Sequence, residues 1–178
     1  MAIIKEEQII NETIIDIAKK IIIAARTAPK ARGINNLVTA IITAEDIIDF
    51  SNKMKEISEE TGEAFFARDA GSILNAEAIV LLGSKYETYG LKKCGYCGFE
   101  SCNDPKRPKT AACVFHNIDL GIAIGSAVSA ASDLKVDNRI MYTIGQAALE
   151  LKIFDDDVKI VFGIPLSATS KNPFFDRG

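Results

Sequence analysis

From Glu6 to Thr27 apolar side chains recur at Ile10, Ile14, Ile17, Ile21 and Ala24 or Ala25, while Glu7, Asn11, Asp16, Lys19 and Lys20 fill much of the opposite face. This 3.6-residue rhythm predicts a long amphipathic helix. Ile9, Ile15, Ile22 and Ile23 widen its apolar stripe beyond what one core needs. A second buried face is therefore expected, supplied by a large core or by a second copy of the chain. Pro29 breaks the helix, and the β-branched run Leu37 to Ile42 predicts a strand. Thr43-Ala-Glu-Asp46 then reads as a capping box opening a helix with its stripe at Ile47, Ile48, Phe50, Met54 and Ile57, stopped by Gly62. A short helix is expected over Asp69 to Asn75. The unbroken apolar run Ala78 to Leu82 predicts a strand buried on both faces.

Later in the chain, Ile118 to Leu134 is dense in Gly, Ala and Ser and predicts a central helix starting near Asn117. Gly121 and Gly125 lie one turn apart on one face, and Ser126, Ser129 and Ala130 occupy a neighbouring strip, so close packing against other helices is expected. Asn138 to Thr143 is expected as a strand, Ile144 to Leu151 as a helix with Gly145 near its start, and Val158 to Gly163 as a final buried strand after the Asp155 to Asp157 turn. Helices and strands mixed without strict alternation indicate an α+β sheet domain.

A length of 178 residues suffices for one well-buried core and is tight for two, so residues 1–178 are read as a single domain. The net charge of −3 argues against nucleic acid as an obligatory partner. Lys5, Glu6 and Glu7 stand where a secretion signal needs an apolar core, and the longest wholly apolar run, Ile21 to Ala25, is too short to cross a bilayer. A cytoplasmic setting without membrane attachment is expected, and reducing conditions there favour metal binding over disulfides.

That matters because all four cysteines fall within Cys94 to Cys113, spaced C-x2-C-x4-C-x10-C. Four thiolates from one short segment can complete an iron-sulfur cluster or a structural zinc site, with a disulfide pair as a third option. Gly95 and Gly98 follow cysteines and allow tight folding around sulfur, and zinc more often uses two paired knuckles. A helix N-terminus after Cys113 favours negative charge. The cluster is the preferred reading, with Cys94, Cys97, Cys102 and Cys113 as ligands. Residues 91–116 then form a metal-binding insertion, which Tyr86, Tyr89 and Tyr96 are placed to shield from water.

Lys92, Lys93, Lys106, Arg107 and Lys109 outnumber Glu100 and Asp104 around the cysteines. They form a basic collar that either docks an acidic electron-transfer protein or compensates the cluster's own charge. Arg26, Lys30 and Arg32, with Gly33 and two asparagines, make a basic loop that either holds an anion or faces water. Glu56, Glu59, Glu60 and Glu63 read as a solvated acidic patch. His116 is the sole histidine and reads as a helix-start residue, so hydrolytic catalysis has no support.

The segment CGYCGFESC is similar to the CGxCGxxxC opening of small [4Fe-4S] domains in corrinoid iron-sulfur proteins and related anaerobic enzymes. AARTAPKARGINNL resembles the ARxAPSxxNxQPW loop of flavin-dependent nitroreductases, and the span from Asp119 to Arg177 resembles that family's central helix, closing strand and basic tail. The resemblance implies a nitroreductase-like mixed sheet flanked by long helices. It also makes FMN a candidate cofactor, contacted by Arg26, Lys30, Arg32, Asn36, Lys171 and Arg177, while the widened apolar stripe of the first helix makes a homodimer the expected assembly. The family's early Arg-Arg-Ser-x-Arg phosphate anchor is absent, and Lys30 replaces the usual serine. Together the two likenesses match a family of uncharacterised prokaryotic proteins described as containing a ferredoxin domain.

Overall fold

The structure is a computed structural model that describes residues 3–108 and 110–175. Helix α1 spans Glu6–Thr27, as the periodicity predicts, and buries Ile14, Ile17, Ala18, Ile21 and Ala25. Strand β1 (Leu37–Thr43) follows, then helices α2 (Glu45–Thr61) and α3 (Ala64–Ile73). Strand β2 (Ala78–Lys85) leads through the cysteine-bearing loop into α4 (Val114–Asp133). A two-residue strand β3 (Asp137–Asn138), helix α5 (Tyr142–Glu150) and strand β4 (Val158–Ser167) complete the body.

The strands form one sheet in the order β1-β2-β4-β3. β2 lies at its centre, pairing Ala78 to Ser84 with Thr43 to Leu37 on one side and Ala78 with Leu166 on the other. Every pairing is antiparallel, so the sheet is not mixed as expected. The pleat sends Ala78, Val80 and Leu82 into a core with α1 and α4, and Ile79 and Leu81 into a second core with α2, α3 and α5. All seven residues from Ala78 to Ser84 are buried, which is why this strand reads as an unbroken apolar run.

Several local expectations give way to tertiary packing. Thr43 does not cap α2. It remains paired with Ala78, and Ala44, at φ 50 and ψ −123, turns the chain into the helix with no side-chain cap. Gly62 ends α2 in the left-handed conformation, φ 76, as expected. The third helix starts at Ala64 and ends at Ile73, five residues ahead of the expected start at Asp69. The strand expected over Asn138 to Thr143 shrinks to Asp137–Asn138 and a bridge at Met141, which exchanges two backbone hydrogen bonds with Gly163 (2.8 and 3.0 Å). The cause is α5, which begins at Tyr142 and presses onto β4: a Cβ on Gly145 would lie 1.7 Å from the Val161 carbonyl oxygen.

α4 packs closely on α1, but not through its glycines. Ala123, Ala127 and Ala131 are fully buried, and the Ser126 hydroxyl donates to the Ala24 carbonyl (2.9 Å). Gly121 and Gly125 instead lie on the exposed face, with open space beside them. Although α4 is long and apolar enough to cross a membrane, it packs beside α1 on one face of the sheet and buries Asp119 and His116, each hydrogen-bonded within the chain.

Candidate functional site

Residues 86–113 connect β2 to α4, with no helix or strand among the described residues. Tight turns hold them: Gly98 N–H donates to the Gly95 carbonyl, Asp104 to Ser101, Arg107 to Asp104 and Ala111 to Pro108. Gly95 and Gly98 adopt φ of 80 and 86, which a side chain would strain. Asp104 ties the turns together, its carboxylate accepting the backbone N–H groups of Glu100 (3.2 Å) and Lys106 (2.8 Å).

These turns bring Cys94, Cys97, Cys102 and Cys113 to the wall of one pocket of about 360 Å³, counting its open mouth. All four are free thiols; Cys113 is buried and the others half-buried. Among the described residues no group of three His, Cys, Asp or Glu side chains converges as an ion site. Cys113 is itself the N-cap of α4, which starts at Val114 rather than near Asn117, and its carbonyl accepts from the amides of His116 and Asn117. Its sulfur is therefore next to the positive end of a 20-residue helix.

The donor chemistry, though not the convergence of the side chains, suits a thiolate-bound metal group. Four soft donors share one pocket, as zinc and iron-sulfur sites require, and the pocket-lining Arg107 has a buried Nε with no partner in the protein. Tyr89, Leu91 and Phe115 contribute apolar wall. Tyr96 is 70% exposed and stacks on Phe115 at 5.6 Å between ring centroids.

A second, smaller pocket lies behind Tyr89, lined by Lys30, Ile34, Asn36, Leu37, Ser84, His116, Asp119 and Leu120. It is far too small to enclose a cofactor-sized ligand. The basic loop beside it is largely satisfied from within. Lys30 Nζ folds back to donate to the carbonyls of Ala25 (3.1 Å), Arg26 (2.9 Å) and Ala28 (2.8 Å), closing the end of α1. Burial, then the charge of Arg26, lowers the Lys30 pKa from its ordinary value, with Asp119 opposing. Ala31 N–H donates to Asp119 Oδ1 (3.0 Å), and Tyr89 O–H to Asp119 Oδ2 (2.5 Å). Asp119 thus fills the anion position that the loop offers. Burial and the bond to Asp119 together raise the Tyr89 pKa well above its ordinary value.

Arg32 takes the left-handed conformation, φ 58, and donates to the Tyr89 carbonyl (2.8 Å). The His116 Nδ1 lies 3.1 Å from the Lys85 carbonyl, an oxygen that can only accept, so Nδ1 carries the proton. The other nitrogen, Nε2, then accepts from Asn36 Nδ2 (2.7 Å). Tyr89 joins the two pockets, its ring meeting Phe115 at 6.1 Å and His116 at 4.5 Å edge to face.

Of the proposed flavin contacts, Lys30, Arg32 and Asn36 thus gather near this pocket, and Arg26 is exposed at the end of α1. Lys171 follows β4, whose end pairs with Ala78, whereas Asn36 adjoins Leu37, paired with Ser84 at the opposite end of the sheet. The two cannot meet within one chain. Arg177 lies outside the described residues. Asp119 was missed in the sequence; its one available signal is a lone carboxylate within the otherwise apolar, small-residue stretch of α4.

The profile of a family described as "Uncharacterized protein containing a ferredoxin domain" matches residues 109–177, which include Cys113 but not the other three cysteines. An uncharacterized protein of Archaeoglobus fulgidus is 42% identical over 161 residues, 86% of each chain. Among solved structures, a nitroreductase family protein from Clostridium novyi NT superposes with a TM-score of 0.60 at 16% identity, over 94% of this chain and 77% of that one. A nitroreductase with bound FMN from Desulfitobacterium hafniense DCB-2 gives 0.60 at 14%, over 89% and 80%. A BluB-like flavoprotein from Clostridium difficile 630 gives 0.59 at 20%, over 96% and 84%. The fold is therefore nitroreductase-like, and the chain belongs to the family of uncharacterised proteins that contain a ferredoxin domain.

Proposed function

We propose that this is a cytoplasmic redox protein in which Cys94, Cys97, Cys102 and Cys113 hold a [4Fe-4S] cluster. One observation carries the reading: all four thiols line a single pocket at the start of α4. Membership of a ferredoxin-domain family supports a redox role in general. When bound, such a cluster supplies one-electron transfer. The chain's part is to bind it through four thiolates, to favour its negative charge with the α4 N-terminus, and to keep water away with Tyr89, Leu91 and Phe115. Exposed Lys92, Lys93 and Lys106 near the cysteines suit an acidic electron-transfer partner.

FMN is the second cofactor this reading admits, because nitroreductase-like scaffolds such as the FMN-bound neighbour carry it. Arg26 and Arg32 are the cations with donors to spare, since Lys30 and the Ala31 amide are already engaged. Bringing Lys171 to the same flavin would require a second copy of the chain. Exposed Ile9 and Ile23 on α1, and Ile118 and Ile122 beside the open Gly121 and Gly125 on α4, support a homodimer.

Protein purified without oxygen is expected to be brown, with iron and acid-labile sulfide near four per chain and absorbance that bleaches on reduction. A colourless protein loaded with one zinc would replace the redox reading with that of an interaction protein whose loop is stapled by metal. A yellow chromophore retained through gel filtration after incubation with FMN would establish the flavin; its loss would remove that part alone.

A further inference from the structure

One side chain on the cysteine pocket wall carries a buried polar atom with no partner in the protein. Arg107 is held from both ends: its backbone N–H donates to the Asp104 carbonyl (2.9 Å), and one terminal guanidinium nitrogen donates to the Ala111 carbonyl. Asp104 is in turn fixed by the amides of Glu100 and Lys106. With both ends pinned, the side chain has little freedom to swing to water. Yet Nε is buried and has no acceptor in the protein. A buried guanidinium N–H without a partner is costly, the more so because the group is charged. The chain tolerates such a cost where an acceptor arrives from outside.

We propose that Arg107 Nε donates a hydrogen bond to a sulfur of the metal group held by the four cysteines, making Arg107 a positioning residue that sets the group's reduction potential. This rests on the four-thiolate reading above. The wall offers thiolate sulfurs in quantity and no competing carboxylate. A positive donor against a thiolate or sulfide stabilises the more negative, reduced state, so it raises the potential. Lysine at this position would keep the charge and lose the planar Nε–H.

Two measurements test it. In the wild-type chain loaded with cadmium-113 alone, NMR should show a coupling between the metal and the Arg107 Nε–H proton, transmitted through the N–H···S bond and absent in Arg107→Lys. In the iron-loaded protein, Arg107→Gln should bind the same iron and sulfide per chain, with its midpoint potential lowered by the equivalent of a tenfold change in the reduced-to-oxidised ratio, about 59 mV for one electron. Arg107→Lys should fall between the two. A wild-type protein that binds cadmium at four thiolates without that coupling overturns the role of Arg107 and leaves the metal site standing. An unchanged potential in both variants does the same. A chain that takes up neither metal overturns the four-thiolate reading itself, and the role of Arg107 with it.

Discussion

The sheet body and the cysteine loop are built by opposite means. In the body, β2 buries seven consecutive residues between two apolar cores, and one glycine, Gly145, lets a helix touch the sheet backbone. Apolar burial between the hydrogen-bonded strands and the helices is its main support. In residues 86–113 only Tyr89 and Cys113 are buried among the described residues, and shape comes from successive turns around Asp104. Loops of this length without elements of their own are usually functional or disordered. The difference teaches that the body is held by its buried cores, whereas the loop is held by hydrogen-bonded turns with little burial.

Three substitutions probe that difference, in decreasing order of effect, and a fourth, Gly125→Ala, serves as the control for the first. Gly145→Ala places a methyl 1.7 Å from the Val161 carbonyl oxygen and should cost more than about 3 kcal/mol of global stability. In the same denaturant titration Gly125→Ala, beside open space, should change stability by less than about 1 kcal/mol. Equal midpoints for the two would break the picture of a tightly seated α5.

Tyr89→Phe acts at the joint between body and loop. It removes a buried donor to Asp119 and should cost about 1–3 kcal/mol at neutral pH. Because the folded-state pKa of Tyr89 is raised, its contribution is complete below the unfolded phenol value near 10 and is lost as pH rises above it. The stability gap between wild type and Tyr89→Phe should therefore be constant from pH 7 to 9 and narrow above about 10. A gap that widens with alkali would mean that the phenol ionises more readily when folded.

Gly98→Ala is the smallest globally. At φ 86 a methyl costs about 1–2 kcal/mol, but the loop carries little of the core. Amide exchange should quicken within residues 94–107 while the global denaturation midpoint barely moves in metal-free protein. If the midpoint falls by the full amount, the loop belongs to the cooperative unit of the body.

By itself the sequence determined the long amphipathic helix at its true bounds, the doubly buried central strand, the stop at Gly62 and the clustering of four cysteines. Each of these is a property of neighbours in the chain: a period, an apolar run, a left-handed residue, a spacing. Tertiary structure alone decided the rest. Gly121 and Gly125 share the sequence signature of a close contact, yet Gly145 makes one, because which face of a helix meets the sheet depends on elements far away in the chain. The residues from Ile140 to Thr143 suit a strand, but packing of α5 on β4 leaves only Met141 bridged to the sheet. Asp119 occupies the anion position of a loop 88 residues distant, so Lys30 and Ala31 satisfy themselves within the fold. The same reason explains Arg107: its charge was legible as part of a basic collar, but only the folded turns bury its Nε without a partner on the wall that the four thiols share.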